Sequence, residues 1–119
     1  MQQPQFRTPA GTFEGLWADD AQSIQVFKGI AYASPPVGPL RFKPPAPKPS
    51  LPGVTFAQTD PTPGWQAHSE DAFVWSRGVF PRSEDCLYLN VWAPKAAQAI
   101  GGDLPVMVWF HGGAHTSGW

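Results

Sequence analysis

Charge is scarce in this chain of 119 residues: Asp, Glu, Lys and Arg make up 14%, against roughly 25% in ordinary globular domains. A surface so poor in charge points to one that further structure covers. The balance is −1 at neutral pH and the basic residues form no cluster. That removes the electrostatic footprint that nucleic acid or an anionic membrane surface needs. Cysteine is nearly absent as well. Cys86 stands alone, which excludes a disulfide within the chain. No run approaches the ~20 apolar residues of a membrane span. The opening Met1-Gln2-Gln3-Pro4-Gln5-Phe6-Arg7 has no apolar leader core, so the expected location is cytoplasmic. His68 has no Cys or His at metal-ligand spacing and His115 has only His111, too few for a ligand set, and neither a metal nor a cofactor is expected.

What the chain has in excess is proline and glycine, 15 and 12 residues. Proline fixes φ and removes a ladder donor, which disfavours long helices and central strands. A loop-rich segment with short strands is expected. Residues 11–32 read as a β-hairpin. Thr12 to Trp17 alternates as a half-buried strand does, Asp19-Asp20 supplies turn chemistry, and Ile24 to Ile30 returns. Residues 34–52 are proline-rich and read either as a linker or as an ordered extended loop. Leu40, Arg41 and Phe42 inside the run favour the loop, as anchors. Residues 54–79 read as irregular, with a short helix over His68–Ser76. Leu87 to Trp92 reads as a strand ended by Ala93-Pro94, and Lys95 to Asp103 as a loop or helical turn broken at Gly101-Gly102. Leu104 to Phe110 is a near-continuous apolar run, the pattern of a strand buried on both faces of an α/β sheet.

His111-Gly112-Gly113-Ala114 follows that run at once. Glycines at the carboxyl end of a strand let the backbone turn sharply and approach a ligand. Consecutive N–H groups can then form an anion site, which in acyl transfer is an oxyanion hole. On these residues alone a plain turn remains the other reading.

Four blocks extend the pattern. They are Gly11-Thr12-Phe13-Glu14-Gly15 with Phe27-Lys28-Gly29-Ile30-Ala31-Tyr32-Ala33, then Pro35-Pro36-Val37-Gly38-Pro39-Leu40-Arg41-Phe42, then Ser83-Glu84-Asp85-Cys86-Leu87-Tyr88-Leu89-Asn90-Val91-Trp92, and finally Pro105 to Ala114. In this order they resemble the type-B carboxylesterase and cholinesterase-like family, and the third block matches its SEDCLYLNVW signature without a mismatch. The resemblance implies an α/β-hydrolase, with residues 1–119 as the N-terminal, incomplete part of one domain. That part would comprise a small antiparallel sheet, a proline-rich covering loop and the first strands of the main sheet. It implies hydrolysis of small carboxylic esters through a serine acyl-enzyme, without cofactor. Gly113 and Ala114 match the loop positions whose N–H groups face the oxyanion, and Gly112 the glycine that shapes the approach. Arg41 and Glu84 match a structural ion pair, and Asp85 a nearby hydrogen-bond acceptor.

Some positions depart from the family pattern. Ala114 stands where many members have a third glycine, which strains the loop if φ is positive there. His115 stands where an aromatic residue is common. Many members pair the counterpart of Cys86 with an upstream cysteine, and here Gly64-Trp65 occupies that region, leaving a buried inert thiol. None of the serines lies in Gly-x-Ser-x-Gly. The nucleophile, acid and base are therefore expected downstream, and the chain alone is expected to be inactive. His111 is expected to orient the loop rather than act as a base, and the six tryptophans to pack in a core. Three other readings stay open: a catalytically dead fragment, a non-catalytic cholinesterase-like binding domain, and a chain completed by the remaining C-terminal part of the same domain.

Overall fold

The computed structural model describes residues 2–67, 81–98 and 103–119. Six strands run through them: β1 (Gln5–Thr8), β2 (Gly11–Glu14), β3 (Leu16–Trp17), β4 (Ile24–Ala31), β5 (Val54–Phe56) and β6 (Tyr88–Pro94). They form two three-stranded sheets, ordered β1-β2-β5 and β3-β4-β6.

The expected hairpin is present only in part. The segment Thr12–Trp17 does not run as one strand against β4. It divides at Gly15, so that β2 pairs antiparallel with β1 and parallel with β5, while only Leu16 and Trp17 face Val26 and Gln25 of β4. The first sheet is therefore mixed rather than antiparallel. The cause lies at Gly15, where a Cβ would run into the Val26 carbonyl and lie 2.8 Å from the Phe27 ring. Only a residue without a side chain lets the backbone cross this close to β4. The crossing is pinned on both sides, because Gly15 N–H donates to Pro4 O at 2.9 Å and Ala57 N–H to Glu14 O at 2.7 Å. Ala57 in turn accepts from Lys28 N–H at 2.8 Å, so one small buried residue links the two sheets.

The turn before β4 behaves as Asp19 predicts. Its carboxylate accepts the N–H groups of Ser23 and Ile24 at 3.0 and 2.8 Å. The Ser23 hydroxyl and the Ile24 N–H together hold the Asp19 carboxyl below its usual range. A charge stabilised in the folded state favours folding above the unfolded carboxylate pKa, and the benefit is lost as pH falls through the lowered value.

β4 is the centre of the molecule. Val26, Phe27 and Gln25 are buried, and with Pro4, Gly15, Ala33 and Ala57 they make up the buried set among the described residues. β6 pairs along β4 from Ala31↔Tyr88 to Ile24↔Pro94, with a register shift between Phe27 and Ile30. The ladder thus runs on through Ala93 and Pro94, where the sequence suggested an end. A proline at the last rung removes no needed donor, and the next N–H, of Lys95, bonds Ser23 O at 2.8 Å. At the bulge the Gly29 N–H is taken by Asn90 Oδ1 at 2.9 Å. Asn90 Nδ2 donates to Asp60, which also pairs with Lys28 Nζ at 2.7 Å. Side chains thereby supply the partners that the register shift withholds.

Three other expectations need correction. Residues 54–56 form β5 rather than irregular chain, because Thr12, Phe13 and Glu14 offer an open edge to Val54, Thr55 and Phe56. Three residues are too few for a periodicity to show. Leu104–Phe110 makes no ladder with a described strand, and Val106, Met107, Val108, Trp109 and Phe110 are 68–92% exposed. A strand buried on both faces needs neighbours on both edges and cover above and below, and the described strands supply neither. The tryptophans do not fill a core: Trp65, Trp92, Trp109 and Trp119 are exposed, and Trp17 carries Lys95 over its ring at 5.4 Å. The helix suggested over His68–Ser76, the break at Gly101-Gly102 and Trp75 lie outside the described residues. Lys95–Gln98 forms a 3₁₀ turn.

The proline run is an ordered loop. Ser34 N–H bonds Ala46 O at 2.9 Å, its hydroxyl bonds Pro47 O at 2.9 Å, and Gly38–Leu40 forms a 3₁₀ turn. Phe42 is no buried anchor; it is exposed, at φ 57°, with the Arg41 guanidinium 4.8 Å from its ring centre.

Candidate oxyanion loop

Residues 111–118 form a closed loop built on one carbonyl. Gly113 O accepts the N–H groups of Thr116 and Ser117 at 2.9 and 3.1 Å and the Thr116 hydroxyl at 3.0 Å. Between Gly113 and Thr116 lie Ala114 at φ 52° and His115 at φ 61°. Positive φ at both central residues is the signature of a type I′ turn, which glycine and asparagine favour. Ala114 therefore occupies the strained position that its departure from glycine raised. A single L-residue in this region costs about 1–2 kcal/mol.

The two glycines have separate geometric duties. At Gly113, φ is 123° and a Cβ would run into the Ser117 carbonyl. No side chain fits there without opening the turn. Gly112 has open space around it, so the backbone can be approached from that side. Among the described residues the N–H groups of Gly113, Ala114 and His115 have no protein acceptor. They are adjacent donors on an exposed turn, the arrangement that forms an anion nest. His111 keeps its ring on the loop, with Nδ1 2.8 Å from Gly112 O. Ser117 is occupied within the turn, its Oγ 3.4 Å from Gly113 O.

The other singled-out residues stand apart, in a buttress behind the loop. Arg41 Nε donates to Glu84 Oε1, joining the proline loop to residues 83–86. Both side chains are partly in water, so the pair fixes geometry more than it adds stability. Asp85 N–H bonds Ser83 Oγ at 3.0 Å. Burial raises the Tyr88 phenol pKa, and a hydrogen bond to the Asp85 carboxylate adds to it. Burial, then the charges of Asp85 and Glu84, also push the Cys86 thiol up. A raised pKa favours the thiol over the nucleophilic thiolate, and Cys86 is half-buried rather than buried as expected. Ser83 N–H bonds Pro63 O at 3.0 Å, and Gly64 lies against the Cys86 sulfur, with a Cβ built on it 3.3 Å from Sγ.

One residue that the sequence gave no reason to single out reaches the loop. Gln66 Oε1 accepts Gly118 N–H at 2.8 Å. Its Nε2 donates to Gly118 O at 3.4 Å and Gly64 O at 3.3 Å. A lone glutamine between Trp65 and Ala67 carries no spacing signal, and only the fold brings it to a site 52 positions away.

The chain as a whole has relatives among known proteins. The model of the carboxylesterase family matches residues 2–119. The chain belongs to the carboxylesterase family. It is 41% identical to acetylcholinesterase-1 of Trittame loki over 97% of its own length and 21% of that protein. It is 40% identical to a fumonisin B1 esterase of Sphingopyxis macrogoltabida, over 93% of itself and 19% of that enzyme. The solved structure of a thermophilic PNB esterase superposes with a TM-score of 0.79 at 38% identity, over 98% of this chain and 23% of the other. These neighbours are α/β-hydrolases, and the small sheets seen here are an N-terminal portion of that carboxylesterase fold. The chain spans about a fifth of the length of the relatives it matches.

Proposed function

We propose that residues 112–114 are the oxyanion-hole segment of a carboxylic ester hydrolase that works through a serine acyl-enzyme. The observation that carries the reading is the pair of N–H groups of Gly113 and Ala114, without an acceptor among the described residues, on a turn closed over Gly113 O. When a hydroxyl adds to an ester carbonyl, the C=O π pair moves to oxygen and negative charge grows there. Donors fixed in advance stabilise that charge without reorganising, and losing one costs about 10²–10³ in turnover. The gene's remaining sequence supplies the nucleophile on this reading, because the serines of this chain lie outside the elbow motif. The exposed apolar run Val106–Phe110 supports cover by further sequence of the same domain. The substrate class is a small carboxylic ester, as the names of the related esterases suggest.

The test is made on the full-length protein that the gene encodes. Short-chain p-nitrophenyl esters should be hydrolysed, and a fluorophosphonate should label one serine and stop the reaction in proportion to labelling. A folded full-length protein that neither hydrolyses these esters nor takes the label would sink the reading in favour of a binding role.

A further inference from the structure

We propose that Gln66 is a positioning residue for this loop, the last link of a tether that runs from the proline run to the oxyanion donors. The inference rests on the reading of residues 112–114 given above. Among the described residues, the Gln66 amide makes the only hydrogen bonds that join residues 111–118 to the rest of the chain.

Its point of attachment matters. Gly118 closes the neck of the loop: a Cβ there would lie 2.5 Å from Gly112 O and 2.8 Å from His111 Nδ1. Whatever fixes Gly118 therefore fixes the backbone that leads into Gly113. Gln66 holds it through both atoms of its amide, accepting from Gly118 N–H and donating to Gly118 O. A side-chain amide can match the donor and acceptor of one peptide residue in this way, and a carboxylate cannot. The third contact, from Nε2 to Gly64 O, anchors the amide on its own segment.

That segment is itself held. Ser83 N–H bonds Pro63 O, and Glu84 is bound by Arg41. The links Arg41–Glu84, Ser83–Pro63 and Gln66–Gly118 thus pass from one loop to the next. The turn strained at Ala114 and His115 needs such an external hold, since strained backbone persists only where its surroundings over-determine it.

The experiment uses the full-length protein with Gln66→Ala and Gln66→Glu. A misplacement of about 1 Å costs on the order of 10² in rate. Gln66→Ala should therefore lower kcat about 10- to 100-fold while KM changes little, and a trifluoromethyl ketone analogue should lose affinity in parallel. Gln66→Glu adds a readout that simple damage does not move. Its protonated carboxyl is neutral and can donate and accept as glutamine does. The ratio of its kcat to that of wild type should accordingly rise as pH falls through the carboxylate range. Independently of activity, amide exchange at Gly118 should be protected in wild type and fast in Gln66→Ala. An active wild type with an equally active, analogue-binding Gln66→Ala overturns the proposal, as does Gly118 exchange that is alike in both proteins. An inactive wild type defeats the esterase reading instead, and the exchange comparison then decides the tether alone.

Discussion

The β-sheet region and the loop at 111–118 use backbone hydrogen bonds in opposite ways. Within β1, β2, β4 and β6 the backbone groups are paired in ladders, and where the β4–β6 ladder lapses at Gly29 a side chain fills the gap. Around Gly113 the reverse holds. One carbonyl collects several donors while, among the described residues, three neighbouring N–H groups have no acceptor. Satisfied groups make a scaffold; unsatisfied, preorganised ones make a place where charge can be received. The buried residues cluster on β4, Val26 and Phe27 among them, and the loop contributes none. The scaffold and the proposed oxyanion loop are built by different residues and should fail separately.

Two glycine substitutions break the comparison most sharply. Gly113→Ala should abolish the donor geometry, because the new methyl meets the Ser117 carbonyl at a φ that alanine avoids. In the full-length protein we expect a loss of about 10²–10³ in kcat with thermal stability nearly unchanged. Gly15→Ala should do the opposite. Its methyl meets Val26 and Phe27 at the crossing between the sheets, and overpacking there costs about 3 kcal/mol. Melting curves and kcat measured on both proteins decide the matter. If Gly113→Ala unfolds the protein, or Gly15→Ala melts like wild type, scaffold and site are not separable in the way the structure divides them.

How much of this was readable beforehand follows the same division. β4 and β6 are long, apolar and bounded by turn residues, so their periodicity carries them. The Asp19 turn is legible because its carboxylate acts on neighbours in sequence. The exchange at Gly15 is not, since Thr12 to Trp17 alternates evenly across it and only the closeness of Val26 splits it. Leu104–Phe110 has the composition of a doubly buried strand, yet burial is a property of neighbours and the described residues provide none. In the loop, the glycines and Ala114 are marked by the family pattern. Gln66 is not, because its part depends on two distant backbones meeting.

A third change strengthens the buttress behind the loop. A Cβ built at Gly64 lies 3.8 Å from the Cys86 Cβ and 3.3 Å from its sulfur, close to the mean Cβ separation of about 3.8 Å in disulfides. Gly64→Cys should oxidise to a disulfide and stabilise the fold by about 3 kcal/mol, as a closed loop of roughly 20 residues does. Thiol titration and melting with and without reductant check it. Two titratable thiols under oxidising conditions would mean that residues 63–66 do not sit against residues 83–86 as described.

The smallest change sharpens the contrast at the level of one methyl group. Ala114→Gly keeps the N–H donor and removes the Cβ from a residue at φ 52°. Relief of left-handed strain is worth about 1 kcal/mol, offset in part by the greater freedom of glycine in the unfolded chain. The gain should appear only where Gly113 O gathers the turn. Amide exchange at Thr116 and Ser117 should slow several-fold, with the melting temperature unmoved, because the loop shares no buried side chain with β4. Slower exchange throughout β4 and β6 as well would show that the loop and the sheets unfold as one unit. Faster exchange at Thr116 would show that the methyl group supports the turn rather than straining it.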